Sequence, residues 1–114
     1  MPLSFAQLFA SNVVDNAAPE TLFTLPASPS TLVLRNGRIR FSNTTVGSVT
    51  IKAWAVPSGG SAADSNVFLP TVAVGANSNV DVDVPIMAAG GFVQAQAGAA
   101  ASITALQMDG FTQT

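Results

Sequence analysis

The sequence predicts an all-β fold, an antiparallel and jelly-roll-like sandwich of seven to eight short strands. Three observations predict this class. Short apolar runs rich in branched residues recur at regular spacing, with Gly, Pro, Asn and Ser between them. The segment 79–84 alternates valine with polar residues, in the period of two that is typical of a half-buried strand. No segment combines a convincing helical period with capping residues.

The expected strands follow in order from Thr21 to Met108. The first strand alternates and stops at Pro26, where a turn-rich connector begins. Pro70 cannot donate a ladder hydrogen bond, so its strand belongs at an edge or a bulge. The valines of 79–84 should face the core. The expected strands are 21–25, 31–41, 49–56, 68–74, 79–84, 92–97 and 102–108.

Asn36-Gly37 allows two structures for the second of these strands. Asn-Gly is the strongest two-residue hairpin signal and would split the run into two paired strands. Alternatively, a glycine bulge at Gly37 would leave one long strand. The flanks are short for a hairpin, and a hairpin would place two arginines opposite each other. We therefore predict the bulged strand.

Residues 1–18 are expected to form an extended N-terminal arm, followed by a single sandwich domain at 19–114. The run from Phe5 to Ala10 is the best helical candidate, but it is short, and the extended form is preferred. An arm of this kind would clasp a neighbouring subunit. Phe5, Leu8 and Phe9 are its candidate interface residues.

Composition excludes several classes of function. The chain has 114 residues, no cysteine and no histidine, so it lacks thiolate and imidazole ligands and the usual catalytic triads. Its net charge of −2 argues against nucleic-acid binding, which needs a basic surface. The uncharged stretch 85–108 is too polar and too rich in glycine for a membrane span. We expect no enzymatic activity, no cofactor, no metal and no membrane or nucleic-acid partner.

Charge is scarce along the whole chain. Charged residues make up 9% of it, against roughly 25% in an ordinary soluble domain. Ser, Thr, Asn, Gln and Ala take their place. Such a surface favours burial against other copies of the chain or against partners, and a secreted domain with a neutral polar surface is the alternative. We expect a homo-oligomer, for which a trimer is one candidate.

Four polar groupings invite a chemical role, and each has a simpler structural explanation. Asp81 and Asp83 should lie on an open strand face, since valines alternate with them. The run 64–66 offers oxygen ligands without calcium-loop spacing, which favours loop capping. The run 58–61 lacks the lysine and helix of a phosphate cradle. Asn43-Thr44-Thr45 is a glycosylation sequon that also serves as a turn. We assign no catalytic, cofactor-binding or metal-binding residue.

Trp54 is the one tryptophan, and two positions remain open for it. It shares a strand face with Thr50 and Lys52. On an outward face it would be an exposed interface anchor, so it joins the candidate interface residues. On an inward face it would be a core residue. The phenylalanines at apolar strand positions are expected in the core: Phe23, Phe41, Phe68 and Phe92.

Three segments together resemble the small β-sandwich virion proteins of tailed bacteriophages. They are Thr21-Leu22-Phe23-Thr24-Leu25-Pro26, Arg40-Phe41-Ser42-Asn43-Thr44-Thr45 and the run Ala53-Trp54-Ala55-Val56-Pro57-Ser58-Gly59-Gly60-Ser61 with its continuation to Asn66. The resemblance covers about residues 20–108. It departs at Ala89-Gly90-Gly91, where the family often has Gly-Asp.

The resemblance implies a virion structural protein, with a capsid decoration or cement protein as the first expectation. Its partners would then be other copies of itself and other virion proteins, such as the major capsid protein. A tail, collar or fibre-base component is the alternative within the particle. A carbohydrate-binding or adhesin module is a further alternative, and it would need an exposed aromatic residue.

Overall fold

The computed structural model describes residues 3–5, 11–25, 33–88, 90–100 and 102–113, and it confirms the all-β sandwich. A short 3-10 helix, Asp64–Asn66, lies between the fifth and sixth strands. The strands of the described chain are β1 (Leu3–Phe5), β2 (Asn12–Val13), β3 (Glu20–Thr24), β4 (Val33–Asn43), β5 (Val49–Val56), β6 (Val67–Val74), β7 (Asn79–Val84), β8 (Phe92–Ala97) and β9 (Ile103–Gln113).

The strands form two antiparallel sheets whose order is that of a jelly roll. In sheet A the order is β1-β9-β4-β7, and β2 also pairs with β9. In sheet B the order is β3-β8-β5-β6. From β2 onward every connection crosses from one sheet to the other, except that between β5 and β6. If β1 and β2 are counted as one interrupted strand, the sandwich has the eight strands of this architecture.

The core lies between the sheets and follows from the period of two in the strands. In β8, Val93, Ala95 and Ala97 are buried, and the glutamines between them point outward. In β4, Ile39 and Phe41 are almost fully buried. The sequence placed four phenylalanines in the core. Phe23 and Phe41 are buried, and Phe68 is half-buried against the core. The core prediction for Phe92 is wrong, because Phe92 alternates with core-facing Val93 and therefore lies on the outer face of sheet B.

The bulged-strand prediction for Asn36-Gly37 is confirmed. β4 runs unbroken through both residues, and its register against β9 shifts on either side of Arg38. After the bulge the strand alternates, with Gly37 and Ile39 buried and Arg38 exposed. A hairpin turn at this point would have removed the strand that lies between β9 and β7.

The position predicted for Pro70 is also confirmed. β6 is the edge strand of sheet B and pairs only with β5. The register of this pair shifts between Val72 and Leu69, so Pro70 lies within a bulge and its missing N–H leaves no gap in the ladder.

The described part of the N-terminal segment belongs to sheet A. Both β1 and β2 are extended, and both pair with β9 of the same chain. Val14 is fully buried in the core, and its N–H donates to the carbonyl of Ile103. Glu20 accepts hydrogen bonds from Asn12 and from the N–H of Asp15. These residues complete the sandwich of their own chain, whereas a free arm would have had no such contacts.

Candidate functional site

The four candidate interface residues have different outcomes. The backbone of Phe5 lies in β1, paired with Phe111 of β9. Leu8 and Phe9 lie outside the described residues. Trp54 is described fully, and it is 6% exposed. Neither of the two positions left open for Trp54 is found, because its side chain is buried without belonging to the core cluster.

Trp54 is buried on the outer side of sheet B and not in the core between the sheets. Its neighbours in β5, Ala53 and Ala55, face the core cluster, and Trp54 is no member of that cluster. The ammonium of Lys52 lies 5.4 Å from the centre of the Trp54 ring, within the range of a cation–π contact. The same ammonium is 3.8 Å from a carboxylate oxygen of Asp64. Lys52 thus ties the loop between β5 and β6 to the strand that carries Trp54.

The loop 57–66 begins with a tight turn and not with a ligand cradle. The N–H of Gly60 donates to the carbonyl of Pro57 at 2.9 Å, and Gly59 has φ of +78°. These values describe a type II turn, whose third position requires glycine. A Cβ on Gly60 would lie 3.3 Å from Cγ1 of Val56, so the loop folds back on the end of β5.

The exit from this loop is capped by Asn66, as the sequence predicts. Its Oδ1 accepts from the N–H of Ala63 at 3.0 Å, and its Nδ2 donates to the carbonyl of Ser61 at 2.9 Å. Asp64 has a different partner from the one expected, because it pairs with Lys52 and not with the loop backbone. Among the described residues no group of three or more His, Cys, Asp or Glu side chains is placed to hold a metal ion.

A second tight turn packs against the first. The N–H of Gly91 donates to the carbonyl of Ala88 at 3.1 Å, and Gly90 has φ of +81°. A Cβ on Gly90 would lie 2.8 Å from Oγ of Ser58. The β5–β6 and β7–β8 connections therefore touch at this end of the sandwich.

Gly90→Ala is expected to lower the free energy of unfolding by about 1 to 2 kcal/mol, because alanine is strained at this φ and its methyl group meets Ser58. Urea denaturation measures the loss. Gly47→Ala is the control, since Gly47 has open space around it and no positive φ. Adding Ser58→Gly should recover the steric part of the loss. A Gly90→Ala protein as stable as the Gly47→Ala protein would contradict the prediction.

The two turns border a cleft of about 750 Å³. Its described lining is mainly apolar and includes Val56, Pro57, Phe68, Ile86 and Met87. Ile86 is 67% exposed at its rim. The cleft contains no charged side chain among its described lining residues, and its polar side chains are those of Ser58, Ser65 and Asn66.

The outer face of sheet A carries a ladder of ion pairs. Arg40 donates to both oxygens of Asp81, at 2.8 and 3.0 Å. One register step away, Nε of Arg38 is 3.3 Å from Asp83. The strand alternation had predicted that Asp81 and Asp83 lie on an open face, and the structure confirms this. The ladder neutralises four charges on one surface.

The acid dependence of stability should reveal the Asp81–Arg40 pair. The hydrogen bond from Arg40 holds the pKa of Asp81 below its ordinary value of 3.8. A carboxyl group whose pKa is lowered in the folded chain stabilises that chain at pH values above the ordinary pKa. This stabilisation is lost as the pH falls through the lowered pKa. Asp81→Asn should therefore melt slightly below the wild type at neutral pH, and the difference should vanish in acid. Thermal melts over a pH series measure it.

Asp83→Asn is the control for this prediction. Asp83 has a single longer contact and an 83% exposed side chain, so its replacement should change the melting temperature at neutral pH less than Asp81→Asn does. A melting difference for Asp81→Asn that stays constant down to strong acid would contradict the assignment.

The sequon asparagine is a structural residue. Asn43 is 1% exposed, and its Nδ2 donates to the carbonyls of Gly47 and Val74, at 2.7 and 3.0 Å. Its Oδ1 accepts a hydrogen bond from the N–H of Thr45. The same oxygen lies 2.7 Å from the hydroxyl oxygen of Thr45. Since Asn43 belongs to sheet A and Val74 to sheet B, the side chain joins the two sheets. The amide that a glycan would modify is inaccessible in the folded chain.

Comparisons with known proteins return no relative. No family model matches the chain, and neither the curated proteins nor the solved structures include one that is similar to it. In the part of the chain that the structure describes, no helix has the length and hydropathy needed to cross a membrane. The geometry of the described residues is therefore the basis for the functional proposal.

Proposed function

We propose that this protein is a non-enzymatic structural component of a tailed-bacteriophage particle, and that it serves as a capsid decoration or cement protein. The observation that carries the proposal is that the polar side chains of the protein form contacts within its own fold. The described groups that invited a chemical role are engaged in holding the fold: Asn43 joins the sheets, Asn66 caps a loop, Asp64 pairs with Lys52, and Asp81 pairs with Arg40.

The composition supports the same role. A jelly roll with 9% charged residues has a neutral surface that can pack against copies of itself and against a shell of other subunits without a charge penalty. The major capsid protein is the expected partner outside the chain. The resemblance of three segments to small β-sandwich virion proteins supports this class of partner.

Glycan binding, the alternative outside the virion, loses its main support. A sugar-stacking site needs an aromatic face open to solvent, and Trp54 was the candidate for it. With 6% of Trp54 exposed and Lys52 over its ring, that face is occupied.

The test is to locate the protein on purified phage particles. Antibodies raised against the purified chain, used for immunogold electron microscopy, should label the head over its whole surface. Particles made without the gene should lose the label and regain it when purified protein is added. Labelling confined to the tail, collar or fibre base would overturn the decoration role. Absence of the protein from the particles would overturn the proposal as a whole.

A further inference from the structure

An apolar stripe on the outer face of sheet A is exposed in the part of the chain that the structure describes. Leu106 and Met108 are 38% and 44% exposed, and they alternate along β9 with residues that face the core. Val13 of β2 is 53% exposed and pairs with Thr104, two residues before Leu106. Of the large apolar side chains that are exposed in the described chain, these three share one face. The other two, Val46 and Ile86, lie in connections.

The stripe lies directly beside the ion-pair ladder. Leu106 is the register partner of Arg40, and Arg40 is in turn the partner of Asp81. Across four neighbouring strands the face thus runs from apolar side chains on β2 and β9 to arginines on β4 and aspartates on β7. Its two arginines and two aspartates balance, so the face carries no net charge from these groups.

We propose that this face binds the same face of a second copy of the chain, in a pair with twofold symmetry in which the β9 stripes of the two copies pack together. The inference rests on the proposed function only for its biological purpose, since it concerns how the subunit associates with itself.

Charge favours a second copy over other partners. A nucleic acid or an anionic membrane needs an excess of positive charge, and here Arg38 and Arg40 each have an aspartate beside them. A strongly charged protein partner would gain nothing from a neutral face. An identical copy brings the same balance of charges and an equal stripe to cover, so neither apolar surface is left in water.

The size of the face is adequate for a reversible pair. Strands spaced at about 4.8 Å, and residues Gly37 to Asn43 at about 3.4 Å each, give a face of roughly 19 by 24 Å. Two such faces together cover about 900 Å², close to the area of about 1,000 Å² at which specific interfaces begin. Association of moderate strength is therefore expected.

Cysteine crosslinking tests the contact directly, because the chain has no cysteine of its own. Leu106→Cys and Met108→Cys should form disulfide-linked dimers under mild oxidation, because the β9 stripes of the two copies pack together. Val46→Cys is the control, as Val46 is 93% exposed but lies in the β4–β5 connection. Equal crosslinking of Val46→Cys and Leu106→Cys would overturn the proposal, because it would indicate random collision.

Sedimentation velocity gives the second test. The wild type should sediment as a dimer at about 100 µM, and Leu106→Glu should raise the dissociation constant at least about tenfold. Val46→Glu should leave it unchanged. Unaltered thermal melts would establish that the variants are folded. A monomeric wild type, a trimer, or a dimer that survives Leu106→Glu would each overturn the proposed pair.

These outcomes are separable from those of the proposed function. Immunogold labelling of the head by a protein that is monomeric in solution would leave the decoration role intact and remove the pair. Conversely, a dimer that loses its affinity on Leu106→Glu but is absent from particles would keep the pair and remove the virion role.

Discussion

Replacing Asn43 with alanine is expected to lower the free energy of unfolding by about 3 kcal/mol. The side chain is 1% exposed and uses both of its Nδ2 hydrogens on backbone carbonyls. Alanine would remove the donor to the carbonyls of Gly47 and Val74 and the acceptor of the N–H of Thr45, and a buried polar group that loses its partner costs about 1 to 3 kcal/mol. Chemical denaturation followed by far-UV circular dichroism measures the loss.

Two further variants separate the hydrogen bonds from the volume of the side chain. Thr44→Ala removes a neighbouring exposed side chain and should change the stability by less than about 0.5 kcal/mol. Asn43→Asp keeps the shape but turns a carboxylate oxygen towards the two carbonyls, so it should be at least as destabilising as alanine. An Asn43→Asp protein with wild-type stability would refute the assignment of Nδ2 as the bridging donor.

Replacing Trp54 with alanine is expected to cost about 3 to 4 kcal/mol, the usual range for emptying a buried site of this size. Trp54 is 6% exposed, although it lies outside the core cluster. The loss should be seen by circular dichroism, because Trp54 is the one tryptophan and its fluorescence disappears with it. Wild-type stability in the alanine variant would mean that the ring is accessible, and it would revive the glycan-binding alternative.

Milder variants separate the contribution of Trp54 packing to stability from that of its contact with the charged Lys52. Trp54→Phe retains most of the apolar volume and should lose about 1 to 2 kcal/mol. Lys52→Met retains an unbranched side chain but removes the ammonium, so it reports on the cation–π contact together with the Asp64 ion pair and should lose about 0.5 to 1 kcal/mol. A larger loss for Lys52→Met than for Trp54→Phe would contradict packing as the dominant contribution.

Much of the fold could be predicted from local pattern. The expected bounds 49–56, 79–84 and 92–97 coincide with β5, β7 and β8, because these strands alternate cleanly and end at turn residues. The bulge at Gly37 could be predicted because repulsion between arginines and short flanks opposed the hairpin. In each case the deciding signal lies within a few residues of the feature.

The features that could not be predicted depend on partners distant in sequence. β9 continues to Gln113, beyond the expected end at Met108, because its last residues pair with β1 and β4. The integration of the N-terminal segment into sheet A depends on the same strand. The residues around Asn43 are those of an ordinary turn, and the carbonyl of Val74 to which its side chain donates is 31 positions away. The ion pair that links Lys52, beside Trp54, to Asp64 depends on a loop fold that its composition does not specify.

The central place of β9 has a consequence for the order of events during biosynthesis. β1, β2 and β4 all pair with β9, so sheet A cannot be completed until residues 103–113 have left the ribosome. Until then the segments that precede it have unpaired edges and no cover for their apolar sides, the condition in which nascent β proteins aggregate. We expect the chain to fold only after its final strand has emerged, in one late and cooperative step.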